Sequence, residues 1–236
     1  MRLQKHLTEA YSTPQIIWAD IQARCKPFLK EWLPIFRNKK ERDDIYLLRG
    51  TDSISDDFGE KKVRTDRVPS ATKRQISQDV DDAMYKRFKI HGRKASIFCT
   101  GNEDTAESYG KSFIVFPVGA YKYLWSPVVE DLFVYLNNDP SGYLYDVSKE
   151  IEMEMNRKGF YQNLEWKEVL VHKEKLRKEI EESNKKALLK MVSSYKTTDL
   201  KKAISTGNEI MVQCSSYIYV HYSREEELRN IIRNSL

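Results

Sequence analysis

Three short segments carry a polar side chain at the edge of an apolar run that does not itself require one. The segments and their polar residues are YLLRG with Arg49, SIFCTG with Ser96 and Thr100, and GNEIMVQC with Glu209. A guanidinium binds phosphate or carboxylate through its planar fork, and a carboxylate stabilises nearby positive charge. Taken singly, each residue is also typical of a solvated strand edge. Their order and spacing along the chain favour a common role.

The three segments resemble the three-part signature of ADP-ribosyltransferases of the Arg, Ser-Thr-Ser, Glu type. In that family one strand ends in Arg, often before Gly. A second strand carries spaced hydroxyls, often with an aromatic residue, and a third opens with Glu inside an apolar run. The matching residues here are Arg49, Gly50, Ser96, Phe98, Thr100 and Glu209. The resemblance runs from about Ile45 to Val220 and implies an enzyme that uses NAD as its substrate, without a metal.

The chemistry of NAD cleavage fits a single carboxylate. Breaking the nicotinamide–ribose bond passes through an oxocarbenium-like centre, as glycoside hydrolysis does. A glycosidase must protonate its leaving group, whereas the nicotinamide of NAD already carries the positive charge and leaves neutral. One anion hydrogen-bonded to the ribose beside the developing cation is therefore sufficient. Glu209 is the candidate catalytic carboxylate, and Arg49 the candidate for holding the NAD phosphates or the adjacent ribose.

Further residues are candidates for binding NAD around this centre. Ser96 would brace the site and orient Glu209. Tyr109 and Phe113 follow the second segment, where family members place an aromatic ring against nicotinamide, although both also suit a core. Arg67 lies just before a predicted helix start, where basic side chains and free backbone N–H groups favour phosphate. Arg67 would contact the NAD diphosphate or the acceptor, and a solvated loop with a local ion pair is the alternative.

Two departures from the family pattern bear on the substrate. Cys99 and Thr100 stand where the second segment often has further hydroxyls, which leaves its part in shaping the site open. Arginine-modifying members carry a second acidic residue two positions before the catalytic Glu, and here that position is Gly207. The resemblance therefore implies an acceptor other than arginine, either another protein side chain or an RNA or DNA base. A toxin of this kind needs a neutralising antitoxin as its partner.

The elements that position these residues are predicted from apolar periodicity and turn signals. Helices are expected at 14–36 (divided near Pro27), 72–88 (capped by Thr72), 129–136, much of 143–195, 198–205 and 224–234. Strands are expected at 45–48, 96–100, 113–118, 121–125, 209–214 and 217–222. A polar loop is expected from 51 to 69, and a break at 137–142.

This order predicts an α+β fold with an ADP-ribosyltransferase-like split sheet, mixed or antiparallel. One domain would span 1–236, with an N-terminal helical segment at 1–44 and a helical insertion at 137–206 before the last strands. The absence of GxGxxG after a strand, and of GxxxxGK[ST], indicates neither a Rossmann site nor a P-loop.

Composition sets the wider limits. The chain has 236 residues, of which 40% are hydrophobic and 32% charged, as in an ordinary globular protein. Its net charge of +5 fits a nucleic-acid or phosphate-rich partner, or simply a basic enzyme. Three cysteines without a CxxC pair indicate neither a disulfide framework nor a zinc site. The start of the chain has no apolar leader, and no apolar run is long enough to span a membrane, so a cytoplasmic protein is predicted.

Three other functions stay open at this point. An NAD glycohydrolase would use the same residues and give the sugar cation to water. A non-catalytic basic domain would bind nucleic acid through the Lys-rich helices between 167 and 202, in a salt-dependent manner. A metal nuclease would need clustered acidic ligands near a lysine, and Glu165-Trp166-Lys167 lies on a predicted helix away from any such strand residue.

Overall fold

The computed structural model describes residues 14–38, 45–67, 74–138, 147–159 and 166–236. Its helices are α1 (Pro14–Arg24), α2 (Lys26–Asn38), α3 (Arg74–Phe88), α4 (Glu103–Glu107), α5 (Leu132–Asn138), α6 (Val147–Arg157), α7 (Trp166–Ser193), α8 (Leu200–Ser205) and α9 (Glu225–Asn234). Its strands are β1 (Leu48–Gly50), β2 (Phe58–Lys62), β3 (Ile97–Cys99), β4 (Ser112–Pro117), β5 (Lys122–Trp125), β6 (Ile210–Gln213) and β7 (Ser216–His221).

Two small antiparallel sheets form the centre of the described fold. The first has four strands in the order β1-β4-β7-β2, and the second has three in the order β3-β6-β5. They meet where Leu48 bridges Thr100, through two backbone hydrogen bonds of 2.8 Å. The protein is therefore α+β, as the spread of strands along the chain predicts.

The N-terminal helices cover one face of the four-stranded sheet. Phe28 meets Phe116 edge-to-face at 6.0 Å, and the indole of Trp32 donates to the Ile45 carbonyl at 2.5 Å. The predicted helix at 14–36 is divided at Cys25, because Pro27 in the next turn cannot supply a helical N–H. This packing buries the apolar run before β1 and fixes where Arg49 emerges.

The three-stranded sheet packs against α3, α5 and the end of α7. Leu124 of β5 and Met211 of β6 are fully buried in a cluster with Met84, Leu132 and Met191. At its end, Trp125 exchanges backbone hydrogen bonds of 2.8 and 3.1 Å with Lys196. The chain thus leaves the sheet after β5 and returns beside it before β6.

Two elements were not predicted from the sequence, and some predictions lie outside the described residues. The expected polar loop at 51–69 contains β2, a charged edge strand with the sequence FGEKK that pairs with β7. Edge strands tolerate such charge, which removes the apolar signal. The short helix α4 follows β3 and is capped by Asn102. Thr72 and most of the break at 137–142 are outside the described residues.

No helix within the described ranges is both long and apolar enough to cross a membrane. The longest of them, α7, carries acidic and basic side chains along its length.

Candidate functional site

Thr100 connects the three segments that the sequence singles out. Its backbone joins Leu48, while its hydroxyl donates to the Gly207 carbonyl at 2.6 Å and accepts the Asn102 N–H at 3.1 Å. The hydroxyl is buried and both of its hydrogen-bonding roles are used within the protein. Thr100 therefore holds the site together, and its contribution to a ligand is through this geometry.

The strand register brings Arg49 and Glu209 to the same end of β3. The bridge between the sheets sets Arg49 beside Cys99, and the pairing of Cys99 with Ile210 sets Glu209 one residue beyond it. Burial raises the pKa of the Cys99 thiol. The charge of Arg49 lowers that pKa and the charge of Glu209 raises it, so both groups lie near the thiol. The two residues that the sequence puts forward as anchor and carboxylate thus lie on either side of one strand end.

Glu209 is fixed through its backbone, and one oxygen of its side chain has no partner among the described residues. Its N–H donates to the Glu130 carbonyl at 2.6 Å, and the side chain of its neighbour Asn208 donates to the Ser126 carbonyl at 2.8 Å. Within the described structure, Glu209 Oε1 is buried and accepts no hydrogen bond. A buried, unsatisfied carboxylate oxygen is costly for stability and is typical of a functional site.

Burial also raises the pKa of Glu209, to about 7. The positive charge of Arg93 opposes this shift, Asp131 adds to it, and Arg67 opposes it. The carboxyl group can therefore gain or lose its proton near neutral pH, as a group that assists proton transfer must.

Two arginines lie over the ring of Phe98, beside Glu209. The guanidinium carbon of Arg67 is 4.2 Å from the ring centroid and that of Arg93 is 4.9 Å from it. Burial, followed by the charges of Arg49 and Arg93, lowers the pKa of Arg67 to about 10. These cation–π contacts hold positive charge at the site without neutralising it.

Arg49 leaves β1 toward the aromatic side chains of β7. Its guanidinium carbon is 5.8 Å from the centroid of Tyr217, and its buried Nε has no hydrogen-bond partner among the described residues. The charges of both Arg49 and Glu209 affect the pKa of Arg67, so Arg67 lies within electrostatic range of each of them.

Ser96 braces a turn and does not bond Glu209 directly. Its hydroxyl donates to the His91 carbonyl at 2.9 Å, at the opposite end of β3 from Thr100. Asp81 of α3 supports the same turn, since it accepts the Arg93 N–H at 2.8 Å and lies 2.7 Å from the His91 ring. Ser96 thus contributes to the site by fixing the turn from which Arg93 extends.

The two aromatic candidates have different positions. Tyr109 is 55% exposed, and its hydroxyl donates to Asp131 at 2.5 Å, close enough to Glu209 for that charge to affect its pKa. Phe113 is fully buried edge-on against Tyr219 and His221, as a core residue would be. Of the two rings, Tyr109 is the one available to a ligand.

Glycine is required at two positions of the site. A Cβ at Gly50 would lie 1.7 Å from the Ala106 carbonyl oxygen, because α4 packs directly on β1. Gly207 has a φ of +70°, which side chains other than glycine rarely adopt, and a Cβ there would lie 3.1 Å from that of Asn102. Any larger residue at either position would displace the strand ends that carry the charged groups.

Sequence reasoning missed three charged residues of this site. In the sequence, Arg93 lies in an apparent solvated turn and Asp81 on a polar helix face. Asp131 has the position of a helix N-cap, and its carboxylate does accept the Val134 N–H. A glycine-containing turn with basic residues just before a strand was the available signal. No group of three His, Cys, Asp or Glu residues suited to a metal occurs within the described parts of the chain.

Comparisons with family models, with curated proteins and with solved structures gave no match for this chain. The function is therefore argued from the geometry and chemistry of the site itself.

Proposed function

We propose that the protein is an NAD-consuming ADP-ribosyltransferase whose two sheets form the split core of that fold. Arg49 would bind NAD, Glu209 would be the catalytic carboxylate, and ADP-ribose would pass to a macromolecule. The observation that carries the proposal is the meeting of Arg49, Thr100 and Glu209 at adjoining strand ends, with Glu209 Oε1 unpartnered in the described structure. The same three segments carry the family resemblance in the sequence.

The proposed reaction uses the few groups that the site offers. The bond between ribose C1′ and the nicotinamide nitrogen breaks, and its electron pair leaves with neutral nicotinamide. Ionised Glu209 accepts a hydrogen bond from a ribose hydroxyl and stabilises the sugar cation. The acceptor atom then bonds to C1′ and gives up its proton, which Glu209 can take because its pKa is raised to about 7.

Arg49 and Tyr109 would account for the rest of NAD recognition. Arg49 has a buried Nε donor without a partner among the described residues, and a diphosphate or ribose oxygen would satisfy it. Tyr109 is exposed beside Glu209 and offers a ring to nicotinamide.

The backbone at Gly207 supports an acceptor other than arginine. An acidic side chain two residues before Glu209, as arginine-modifying relatives have, would require a strained φ of +70° at this position. The acceptor we propose is a nucleic-acid base or another protein side chain, and an antitoxin partner would follow if the protein is a toxin.

Labelled NAD tests the proposal directly. NAD carrying a label in its adenine would be incubated with the protein and cell lysate, and the macromolecular fraction would be treated separately with nuclease and protease. We expect label in that fraction and equimolar free nicotinamide. Glu209→Gln should reduce nicotinamide release at least about 100-fold, the effect of removing one electrostatic stabiliser.

The matched control is Glu130→Gln, an exposed carboxylate whose backbone carbonyl contacts Glu209. It should retain full activity. Label recovered only as free ADP-ribose would identify a glycohydrolase instead. Full activity of Glu209→Gln would remove the site assignment altogether.

A non-catalytic nucleic-acid-binding domain is less well supported by the helical insertion. Its basic side chains on α7 pair with acidic ones at i,i+4, including Arg177 with Glu181 at 2.9 Å and Lys186 with Glu182 at 3.0 Å. Such pairing is typical of a solvated helix face.

A further inference from the structure

We propose that Arg67 and Arg93, which both contact the ring of Phe98, form a second phosphate-binding subsite beside Glu209. The inference deepens the proposed function and rests on it only for the role of Glu209. Arg93 was not singled out by the sequence, and the reaction described above does not use it.

Arg93 is a buried cation without an internal hydrogen-bond partner at Nε. Its relative exposure is 6%, and Nε has no partner among the described residues. Burying an unpaired charge is strongly unfavourable unless something compensates it. The ring of Phe98 compensates part of this cost, since the guanidinium carbon is 4.9 Å from its centroid.

Three arginines stand close enough together for their charges to interact. Arg49 and Arg93 both act on Arg67 and lower its pKa, after burial. Opposite them stand Glu209, whose pKa is raised to about 7, and Asp131, which accepts the Tyr109 hydroxyl. A bound anion would relieve the repulsion among the arginines and satisfy the free Nε donor.

The turn that carries Arg93 is held in place before any ligand arrives. Asp81 accepts the N–H groups of Arg93 and Lys94 at 2.8 and 3.2 Å, and Ser96 bonds the His91 carbonyl. A binding group fixed by neighbouring hydrogen bonds loses little freedom on binding, so this arrangement favours a specific ligand.

Phosphate is the anion that suits two guanidinium groups sharing one site. Each planar fork can donate two parallel hydrogen bonds to phosphate oxygens. Arg93 is the first charge that acts on Glu209, whereas Arg49 is not among the groups that shift its pKa. Arg93 thus interacts with Glu209, whereas Arg67 also interacts with Arg49. The bound phosphate belongs either to the nucleotide or to a nucleic-acid acceptor.

Binding measurements that need no turnover test this subsite. Fluorescently labelled single-stranded RNA and DNA, and separately ADP-ribose, would be titrated against the wild type, Arg93→Gln and Lys94→Gln, over a range of salt concentrations. Lys94 is exposed and adjacent, so its variant removes the same charge outside the proposed subsite. Arg67→Gln is the second test variant, because substitution of the more buried Arg93 can impair folding.

We expect Arg93→Gln and Arg67→Gln each to weaken one of these ligands about tenfold or more, and Lys94→Gln less than twofold. If a nucleic-acid acceptor supplies the phosphate, both arginine variants should lose one phosphate contact. The slope of log K for oligonucleotide binding against log salt concentration should then decrease by about one. Loss confined to ADP-ribose would identify the nucleotide as its source. Unchanged affinity for every ligand in folded Arg67→Gln would overturn the subsite, whether or not NAD is cleaved.

Discussion

Two of the regions in which arginine and glutamate occur together have opposite outcomes. Between α1 and β2, Arg24 donates to Asp20 at 2.9 Å and to Glu60 at 2.7 Å, and Glu60 also accepts the Ser216 hydroxyl at 2.6 Å. The Glu60 hydrogen bond raises the pKa of Arg24 above its ordinary value. In the candidate site, Arg49, Arg93 and Glu209 each bury a polar atom without a partner in the described structure.

The comparison separates charges that are paired within the fold from charges that, under the proposed function, would bind a ligand. A paired network stabilises the native state, and an unpaired buried group destabilises it. Proteins retain such unpaired groups where binding or catalysis needs them. The same residue types should therefore respond in opposite ways to substitution in the two regions.

The largest expected effect is on activity, at Arg49. Arg49→Ala should lower kcat/KM for NAD about 100-fold, since a charge-assisted contact with the substrate is lost. Its melting temperature should stay near that of the wild type, as measured by thermal unfolding. Arg64→Ala, which removes an exposed arginine from a nearby loop, is the control. A large loss of stability with little change in kcat/KM would place Arg49 with the structural pairs instead.

The pH profile comes next. The proposed reaction needs ionised Glu209, whose pKa is raised to about 7, so kcat/KM should fall about tenfold per pH unit below that value. Initial rates of nicotinamide release between pH 5 and 9 measure this, with stability checked at each pH. A flat profile across this range would exclude Glu209 as the titrating group.

In the paired region the effect should fall on stability. Glu60→Gln weakens the hydrogen bonds of both Arg24 and Ser216, so the free energy of unfolding should fall by about 1–2 kcal/mol. The value of kcat/KM should stay within about twofold. Denaturant unfolding with Glu179→Gln, an exposed carboxylate on α7, gives the baseline. A stability equal to that baseline would contradict the structural role.

The last expected effect is on stability alone and has the opposite sign. Burial raises the pKa of Glu209 from 4.5 to about 7, so between these values the unfolded chain binds fewer protons and the free energy of unfolding falls as pH rises. Glu209→Gln removes that loss and should be more stable than the wild type at pH 8, by roughly 1–3 kcal/mol. At pH 4 the two should unfold alike. Equal stability at both pH values would mean that Glu209 is not buried as a charge.

The sequence predicted the elements whose signals are local. The ends of β4, β6 and β7 were predicted to within one or two residues, because the apolar residues of these strands are buried on both faces. The charged edge strand β2 was missed because its pairing with β7 lies far along the chain. Pairing and register are non-local, and no periodicity within a segment encodes them.

The candidate site divides in the same way. Arg49 and Glu209 stand at strand ends and could be proposed from position and resemblance. Arg93 could not, because its burial depends on Asp81, twelve residues earlier in a different element, accepting its backbone N–H. Ser96 was proposed as a brace of Glu209, and its hydroxyl instead bonds the turn that carries Arg93. A side chain that acts by fixing a folded turn cannot be identified from the sequence alone, because its hydrogen-bond partners are set by the tertiary structure.

The paired backbone of Trp125 and Lys196 has a consequence for how this chain can vary. The chain between Trp125 and Lys196, about seventy residues, begins and ends at this one pair of hydrogen-bonded residues. The entropic cost of closing such a loop grows only slowly with its length. Close to Lys196, the side chains of Met191, Val192 and Tyr195 belong to the core of the three-stranded sheet. Farther along the excursion, Ile151, Met155 and Val169 form a small cluster of their own. We therefore expect that shortening or exchanging the outer part of this excursion leaves the candidate site in place.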